Sequence, residues 1–320
     1  MYRQVCLIYN PFAGRLRRSK SAVEDAVAVL RGAGHGIEAI ATAGPASAGG
    51  IALRAIDRGA DLILVAGGDG TINEVVNGIV HSEVPVGLLP GGTANVLSME
   101  LGIGNKILPA AHEVENWTPE RVALGLRSSA GSEPRYFLLM CGAGLDAHIV
   151  YNISASVKNT LGKLSYWVGG FSQLGRRFPE FRVEAGGVEH RASFALVSRV
   201  RNYGGDLEIA PSVSLLDDHF ELVLFTGQNS FRYLRYMLGV VRGGLHETPG
   251  ITILQTTKAF LSAAENRRIY TQVDGEYAGR LPACLEIVPR SLTLLMPPKF
   301  VASRRKITAA DQAWTTLPIR

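Results

Sequence analysis

Leu62-Ile63-Leu64-Val65-Ala66-Gly67-Gly68-Asp69-Gly70-Thr71-Ile72-Asn73-Glu74 is the stretch on which the fold turns. Its first five residues are a short apolar run closed by glycines, which reads as a buried strand. A helical pattern follows over Ile72–Val80, so the glycines lie between the end of a strand and the start of a helix. Glycine there lets main-chain N–H groups approach an anion without interference from a Cβ, and the helix N-terminus adds a favourable dipole. Asp69 places a carboxylate where an anion is expected, which makes chemical sense if Mg²⁺ or water mediates. The structural alternative is a plain strand-to-helix turn, and Thr71 with Glu74 also fits a capping box, T-x-x-E.

Outward from this stretch the first hundred residues repeat the same alternation. Val5–Tyr9, Ile37–Ala41 and Val84–Leu89 are further strand candidates, and Lys20–Arg31, Ala48–Arg58 and Ala94–Leu101 are helix candidates. Such alternation predicts an α/β layer with a mostly parallel sheet, whose ligands bind beyond the carboxyl ends of the strands. Two more loops stand at those ends: Asn10-Pro11-Phe12-Ala13-Gly14 and Pro90-Gly91-Gly92-Thr93-Ala94-Asn95. Each alone is a turn rich in Pro, Gly and Asn. Three at successive strand ends describe a nucleotide cradle.

Beyond about residue 120 strands dominate. Candidates are Tyr136–Cys141, Phe181–Ala185, Ala192–Val200, Phe220–Phe225, Ile251–Leu254, Ile269–Val273, Leu285–Val288 and Leu292–Leu295, interrupted by helical segments near 147–175 and 230–242. The expected organisation is an α/β N-terminal domain over 1–125, a β-rich, sandwich-like C-terminal domain over 126–298, and a polar, basic tail over 299–320 that either frays or packs on the first domain.

Composition narrows the class. With 47% hydrophobic and 19% charged residues the 320-residue chain can bury two cores, and a net charge of +5 favours anionic partners without choosing among them. No recognised nucleic-acid motif accompanies that charge, so no nucleic-acid partner is expected. Arg3 and Gln4 lead straight into a strand, so no secretory signal is expected, and no apolar run reaches the ~20 residues of a membrane span. Cys6, Cys141 and Cys284 lie far apart in apolar runs and read as buried free thiols of a reducing cytosol. The histidines form no metal-binding spacing, and neither G-x-S-x-G nor G-x-x-x-x-G-K-[ST] occurs, which excludes a zinc enzyme, an α/β-hydrolase and a Walker-type ATPase. Arg15, Arg17, Arg18 and Lys20 cluster after the first loop, either drawing in anionic headgroups or forming a solvated helix start. The stripes Phe231, Leu234, Leu238, Val241 and Leu161, Leu164, Val168, Phe171 suit core packing first and a membrane surface second.

Asn10–Gly14, Gly67–Asn73 and Gly91–Asn95 resemble the three nucleotide-binding loops of the diacylglycerol kinase catalytic family, and the resemblance extends over roughly residues 1 to 298. It implies an ATP-dependent lipid kinase with a β-sandwich second domain, transferring the γ-phosphate of Mg·ATP to a lipid hydroxyl. It assigns ATP contacts to Asn10, Pro11, Phe12, Ala13, Gly14, Thr42, Gly67, Gly68, Asp69, Gly70, Thr71, Ile72, Asn73 and Thr93. It also implies an enzyme peripheral to the cytoplasmic face of a membrane, often dimeric. Asp274-Gly275-Glu276 resembles the family's acidic motif: Glu276 becomes the general base, with Asp274 a second acidic group and Asp69 the carboxylate near the phosphates. By spacing alone, Asp274-Gly275 reads as a hairpin turn first, and it is the resemblance that reverses this for Glu276.

The segment Leu215–Phe220 resembles a family loop that holds a structural Mg²⁺ through the Asp218 carboxylate and the carbonyls of Leu215 and Phe220. It departs from the family pattern, which has glycine where His219 stands. Asp146 and Tyr203-Gly204-Gly205 also match family signatures, the former implied to line the cleft and the latter to form a turn. Two rivals accompany this reading. A catalytically silent nucleotide- or lipid-binding regulator would not need Glu276. An NAD kinase shares the Gly-Gly-Asp-Gly loop but carries a Thr-Pro-Thr-Gly-Ser-Thr-Ala-Tyr stretch that is absent here.

Overall fold

The computed structural model describes residues 2–19, 21–144, 178–203, 208–228, 236, 245, 248–264 and 267–304. Lys20, Asp146, Gly204 and Gly205 lie outside these residues, as do the segments expected to be helical near 147–175 and 230–242, save Tyr236.

The chain opens with β1 (Gln4–Tyr9), α1 (Ala22–Gly32), β2 (Gly36–Ala41), α2 (Ala48–Asp57), β3 (Leu62–Gly67), α3 (Asp69–Ile79), β4 (Val86–Pro90), α4 (Val96–Glu100) and α5 (Ile107–Glu113). The first four strands run parallel in the order β2-β1-β3-β4. Every residue of β3 and β4 is buried, as strands covered on both faces require, whereas β2 at the edge buries only Ile37. This order seats the loops after β1, β3 and β4 side by side.

The remaining strands are β5 (Thr118–Ser129), β6 (Ser132–Phe137), β7 (Met140–Gly144), β8 (Phe181–Ala185), β9 (Val188–Ala192), β10 (Phe194–Ser198), β11 (Phe220–Phe225), β12 (Ile251–Thr256), β13 (Lys258–Ser262), β14 (Tyr270–Val273), β15 (Glu276–Arg280) and β16 (Ala283–Met296). Six of them form an antiparallel sheet, β12-β11-β10-β7-β14-β15. The others extend the parallel layer into a ten-stranded sheet.

Three sequence readings are corrected. The apolar run 136–141 is two strands in two sheets: β6 pairs with β5 in the larger one, and β7 lies between β10 and β14 in the smaller. Leu285–Val288 and Leu292–Leu295 are one strand, β16, bent at an irregularity where Arg290 takes a positive φ. Its first half pairs with β13 and its end reaches β4 at Leu294, so β16 ties the second half of the chain to the parallel sheet. Ala192–Val200 is likewise divided, Ala192 closing β9 and Phe194 opening β10.

The capping box is not formed. Helix α3 starts at Asp69, two residues before Thr71, and Glu74 instead accepts hydrogen bonds from the Ala46 and Ala48 amides at 2.9 and 3.0 Å, holding the entry to α2. Spacing along one chain cannot distinguish a local cap from a carboxylate that serves a neighbouring helix. The first residues of the tail do not fray. Phe300 and Val301 are buried in the same core as Leu97 and Leu101, and Arg304 pairs with the buried Glu100 at 3.4 Å. Cys6 and Cys141 are buried, with burial pushing the Cys6 thiol up to about 11, while Cys284 is only partly buried. Among the described residues no helix is long and apolar enough to cross a membrane.

Candidate active site

Three loops meet at the carboxyl ends of β1, β3 and β4. The Asn10 amide bonds the Ala66 carbonyl at 3.0 Å, the Arg15 amide bonds the Gly91 carbonyl at 3.0 Å, and the Gly91 and Gly92 amides both bond the Gly67 carbonyl. The second and third loops touch glycine to glycine: a Cβ on Gly92 would lie 2.5 Å from the Gly68 Cα, so a side chain there would force them apart. Within the first loop Asn10 Oδ1 accepts from the Phe12 amide at 2.9 Å, and its Nδ2 faces Thr71 Oγ1 at 3.5 Å. Phe12 itself is 74% exposed. Gly68 gives α3 no side-chain cap, and the Asp69 carboxylate turns back on its own amide, so Gly70 and Thr71 carry the first-turn amides for which no side-chain cap is supplied.

Asp69 acts first on the third loop. Its two oxygens accept from the Val96 and Leu97 amides at 3.0 and 3.2 Å, which caps α4 and fixes the approach of Gly91–Asn95. Burial raises its pKa, and these amides pull it back. Asn95, in the left-handed region at φ 50°, closes the same loop by accepting from the Gly92 amide and donating to the Gly92 carbonyl.

Across from these loops stands the hairpin between β14 and β15. Asp274 occupies the left-handed region (φ 47°) and Gly275 follows at φ 82°, so the sequence forms the hairpin turn that its spacing suggested. Glu276 opens β15 with its side chain 45% exposed and paired with the Arg135 guanidinium. A Cβ on Gly70 would lie 2.9 Å from Glu276 Oε1, so the carboxylate sits directly over the first turn of α3.

Arg135 was not singled out by the sequence, where it looks like an ordinary charge on a strand. It bridges Glu276 and Asn73, bonding Asn73 Oδ1 at 3.1 Å, and so sets the direction of the Glu276 carboxylate.

Asp274 is buried and fully engaged. Its oxygens accept from the amides of Leu138, Leu139 and Met140 at 3.0, 3.0 and 2.9 Å and from Asn73 Nδ2 at 2.8 Å. Burial pushes its carboxyl up to about 6, against the pull of those four donors. The three amides belong to the stretch that leaves β6 for β7, where pairing in the first sheet has ended and pairing in the second is only beginning. Asp274 is thus the acceptor that makes the change of sheet feasible, and it positions Glu276 two residues on.

Not every expected contact residue faces the loops' open side. Asn73 is 2% exposed and its side chain is committed to Asp274, Arg135, Asn77 and the Tyr136 carbonyl, so that side chain serves the junction between the two halves. Ile72 packs its side chain in the core. Thr42 is buried beside β1, its amide bonded to the Tyr9 carbonyl. Asn10, Pro11, Phe12, Ala13, Gly14, Gly67, Gly68, Gly70, Thr71 and Thr93 are the residues that the three loops bring together.

The loop implied to hold a metal turns three of its carbonyls onto one side chain. The carbonyls of Leu215, Asp217 and His219 all accept from the Arg199 guanidinium, at 2.9, 3.0 and 3.1 Å, and Asp218 is exposed. Phe220 is buried as the first residue of β11, paired with Thr256. Burial pushes Arg199 down to about 10, with Asp217 and Asp218 opposing the shift. Among the described residues no cluster of three His, Cys, Asp or Glu side chains is placed to hold a metal.

A parallel α/β layer with three glycine-built loops at its strand ends thus faces a carboxylate carried by an antiparallel sheet, the layout of a two-part enzyme with its cleft between the sheets. Residues 4–126 match the diacylglycerol kinase catalytic domain, and residues 140–296 match the domain described as YegS C-terminal NAD kinase beta sandwich-like. A diacylglycerol kinase of Bacillus subtilis (strain 168) is 30% identical over 297 residues, 91% of this chain and 95% of its own length. One of Staphylococcus aureus (strain MRSA252) is 28% identical over 302 residues, 93% of each chain. A crystal structure of a diacylglycerol kinase from Bacillus anthracis str. Sterne shares the fold with a TM-score of 0.73 at 23% identity, covering 93% of this chain and 98% of that one. The chain belongs to the diacylglycerol kinase family, and by that membership is a lipid kinase.

Proposed function

We propose that this chain transfers the γ-phosphoryl group of Mg·ATP to the hydroxyl of a diacylglycerol-like lipid at a membrane surface. The observation that carries the reading is the position of Glu276 over Gly70, which brings a half-exposed carboxylate to the uncapped first turn of α3. Anionic oxygens of the triphosphate would be received by the amides of that turn, the Thr71 and Thr93 hydroxyls and the Asn10–Gly14 loop. Exposed Phe12 offers a face for the base, and exposed Arg15, Arg17 and Arg18 beside it offer charge to phosphates or to acidic headgroups.

In the transfer, the lipid oxygen bonds to the γ-phosphorus as the bond to the β–γ bridging oxygen breaks and ADP leaves. The hydroxyl proton passes to Glu276. Arg135, itself held by Asn73 Oδ1, keeps that carboxylate in place. Mg²⁺ carried by the nucleotide would supply charge stabilisation, and Asp69, whose oxygens are held by the amides of the third loop, would bear on it as the nearby negative charge.

The test is transfer of labelled γ-phosphate from ATP to mixed micelles of diacylglycerol, a sphingoid base or phosphatidylglycerol, with Mg²⁺. Label should enter one lipid class. Absence of label from every lipid, with ATP bound, would contradict the reading.

Gly70→Ala separates the site from the fold. The new methyl displaces the Glu276 carboxylate, so turnover should fall about 10- to 100-fold. Alanine is also the better helix former by about 1 kcal/mol, so the urea midpoint should stay level or rise. Unchanged turnover would mean that Glu276 does not act from where it stands.

A further inference from the structure

Arg199 follows directly on β10, its own amide bonded to the Leu139 carbonyl at 2.8 Å, and the residue is 0% exposed. Facing it, residues 214–219 wind into a tight loop: the Ser214 amide bonds Asp217 Oδ2 at 2.7 Å, the Leu216 amide bonds Ser214 Oγ at 3.3 Å, and the Asp217 amide bonds the Ser214 carbonyl at 3.0 Å. That winding turns three main-chain carbonyls, those of Leu215, Asp217 and His219, onto one guanidinium.

Several carbonyl oxygens converging in a short loop are what a hard cation would be offered. Here the place is taken by a planar cation with fixed donor directions, in which Nη2 serves Leu215 and Nη1 serves Asp217 and His219. We infer that Arg199 is the resident cation of the 214–219 loop and that the second domain is held without a metal ion at this position. A divalent ion at the Leu215 carbonyl would stand beside a buried positive charge and compete with it for the same oxygen. Mg²⁺ also needs near-octahedral oxygens at about 2.0–2.1 Å, whereas Asp218, the only carboxylate of the implied set, is exposed.

The inference is independent of the reaction, because it concerns a loop away from the three phosphate-facing loops. Mg²⁺ carried by the nucleotide is a separate requirement.

Two measurements on the nucleotide-free full chain decide it. After EDTA treatment and gel filtration, the wild type should contain less than about 0.1 equivalent of Mg²⁺, Ca²⁺ or Mn²⁺, and its melting temperature should not change when any of them is restored. Arg199→Asn should lower the melting temperature by about 10 °C, because one buried and two partly buried carbonyls lose their donor. Part of that loss should be recovered with millimolar Mg²⁺ or Ca²⁺ entering the vacated cage. A stoichiometric divalent ion in the wild type, or a clear destabilisation of the wild type by EDTA, would overturn the inference. So would an Arg199→Asn protein as stable as its parent. Should that variant fail to fold, the two wild-type measurements still decide the matter.

Discussion

Glu276→Gln is expected to lower lipid phosphorylation about 10²- to 10⁴-fold while nucleotide affinity stays within about threefold. The substitution is nearly isosteric. A glutamine Oε1 still accepts from Arg135, so the side chain keeps its place over Gly70 and only its capacity to take a proton is removed. The loss should therefore fall on kcat, the signature of an interaction made in the transition state. Initial rates at saturating ATP and lipid, set beside binding of a fluorescent nucleotide, separate the two effects. A variant that keeps full kcat would show that the proton goes elsewhere. One that loses nucleotide binding would make Glu276 part of the cradle instead.

The second large effect is structural. Asp274→Ala is expected to cost about 3–5 kcal/mol of unfolding free energy, comparable to breaking a buried charged network. Its carboxylate is the acceptor for three buried amides and for Asn73, and an unsatisfied buried amide costs about 1–3 kcal/mol, partly recovered by relaxation or water. Alanine in the left-handed conformation adds about 1 kcal/mol more. Asp274→Asn should be milder, because asparagine tolerates that conformation and keeps one oxygen, but its NH₂ group must then face a donor. Urea denaturation of the three proteins gives the order wild type, Asn, Ala. An alanine variant within 1 kcal/mol of the wild type would mean that the strand crossing does not depend on this carboxylate.

These two neighbours also show how far the sequence could be read. Asp274-Gly275-Glu276 was visible as both an acidic motif and a hairpin turn; the structure forms the turn and sets the Glu276 carboxylate over the first turn of α3. The parallel layer was legible because short apolar runs alternate with helical periods, and the three loops because glycine recurs at the strand ends.

What stayed hidden depends on partners far away in the chain. Tyr136–Cys141 is an unbroken apolar run, and only the acceptor supplied by Asp274, more than 130 residues later, shows where it changes sheet. Asn73 sits inside the most informative motif, yet it binds across to Asp274 and Arg135. Glu74 has capping-box spacing but caps a different helix. Arg199, in Ser198-Arg199-Val200-Arg201, has the look of an exposed charge at a strand end and is in fact buried. In each case local spacing was satisfied while a tertiary partner took the side chain.

The most direct test of the account is a crystal structure with Mg²⁺ and a non-hydrolysable ATP analogue. The account predicts the triphosphate along Gly67–Thr71 and Gly91–Thr93, with the γ-phosphate at the first turn of α3 facing the Glu276 carboxylate. A nucleotide whose phosphates lie away from that turn, with Glu276 still paired to Arg135 and facing no phosphate, would contradict it.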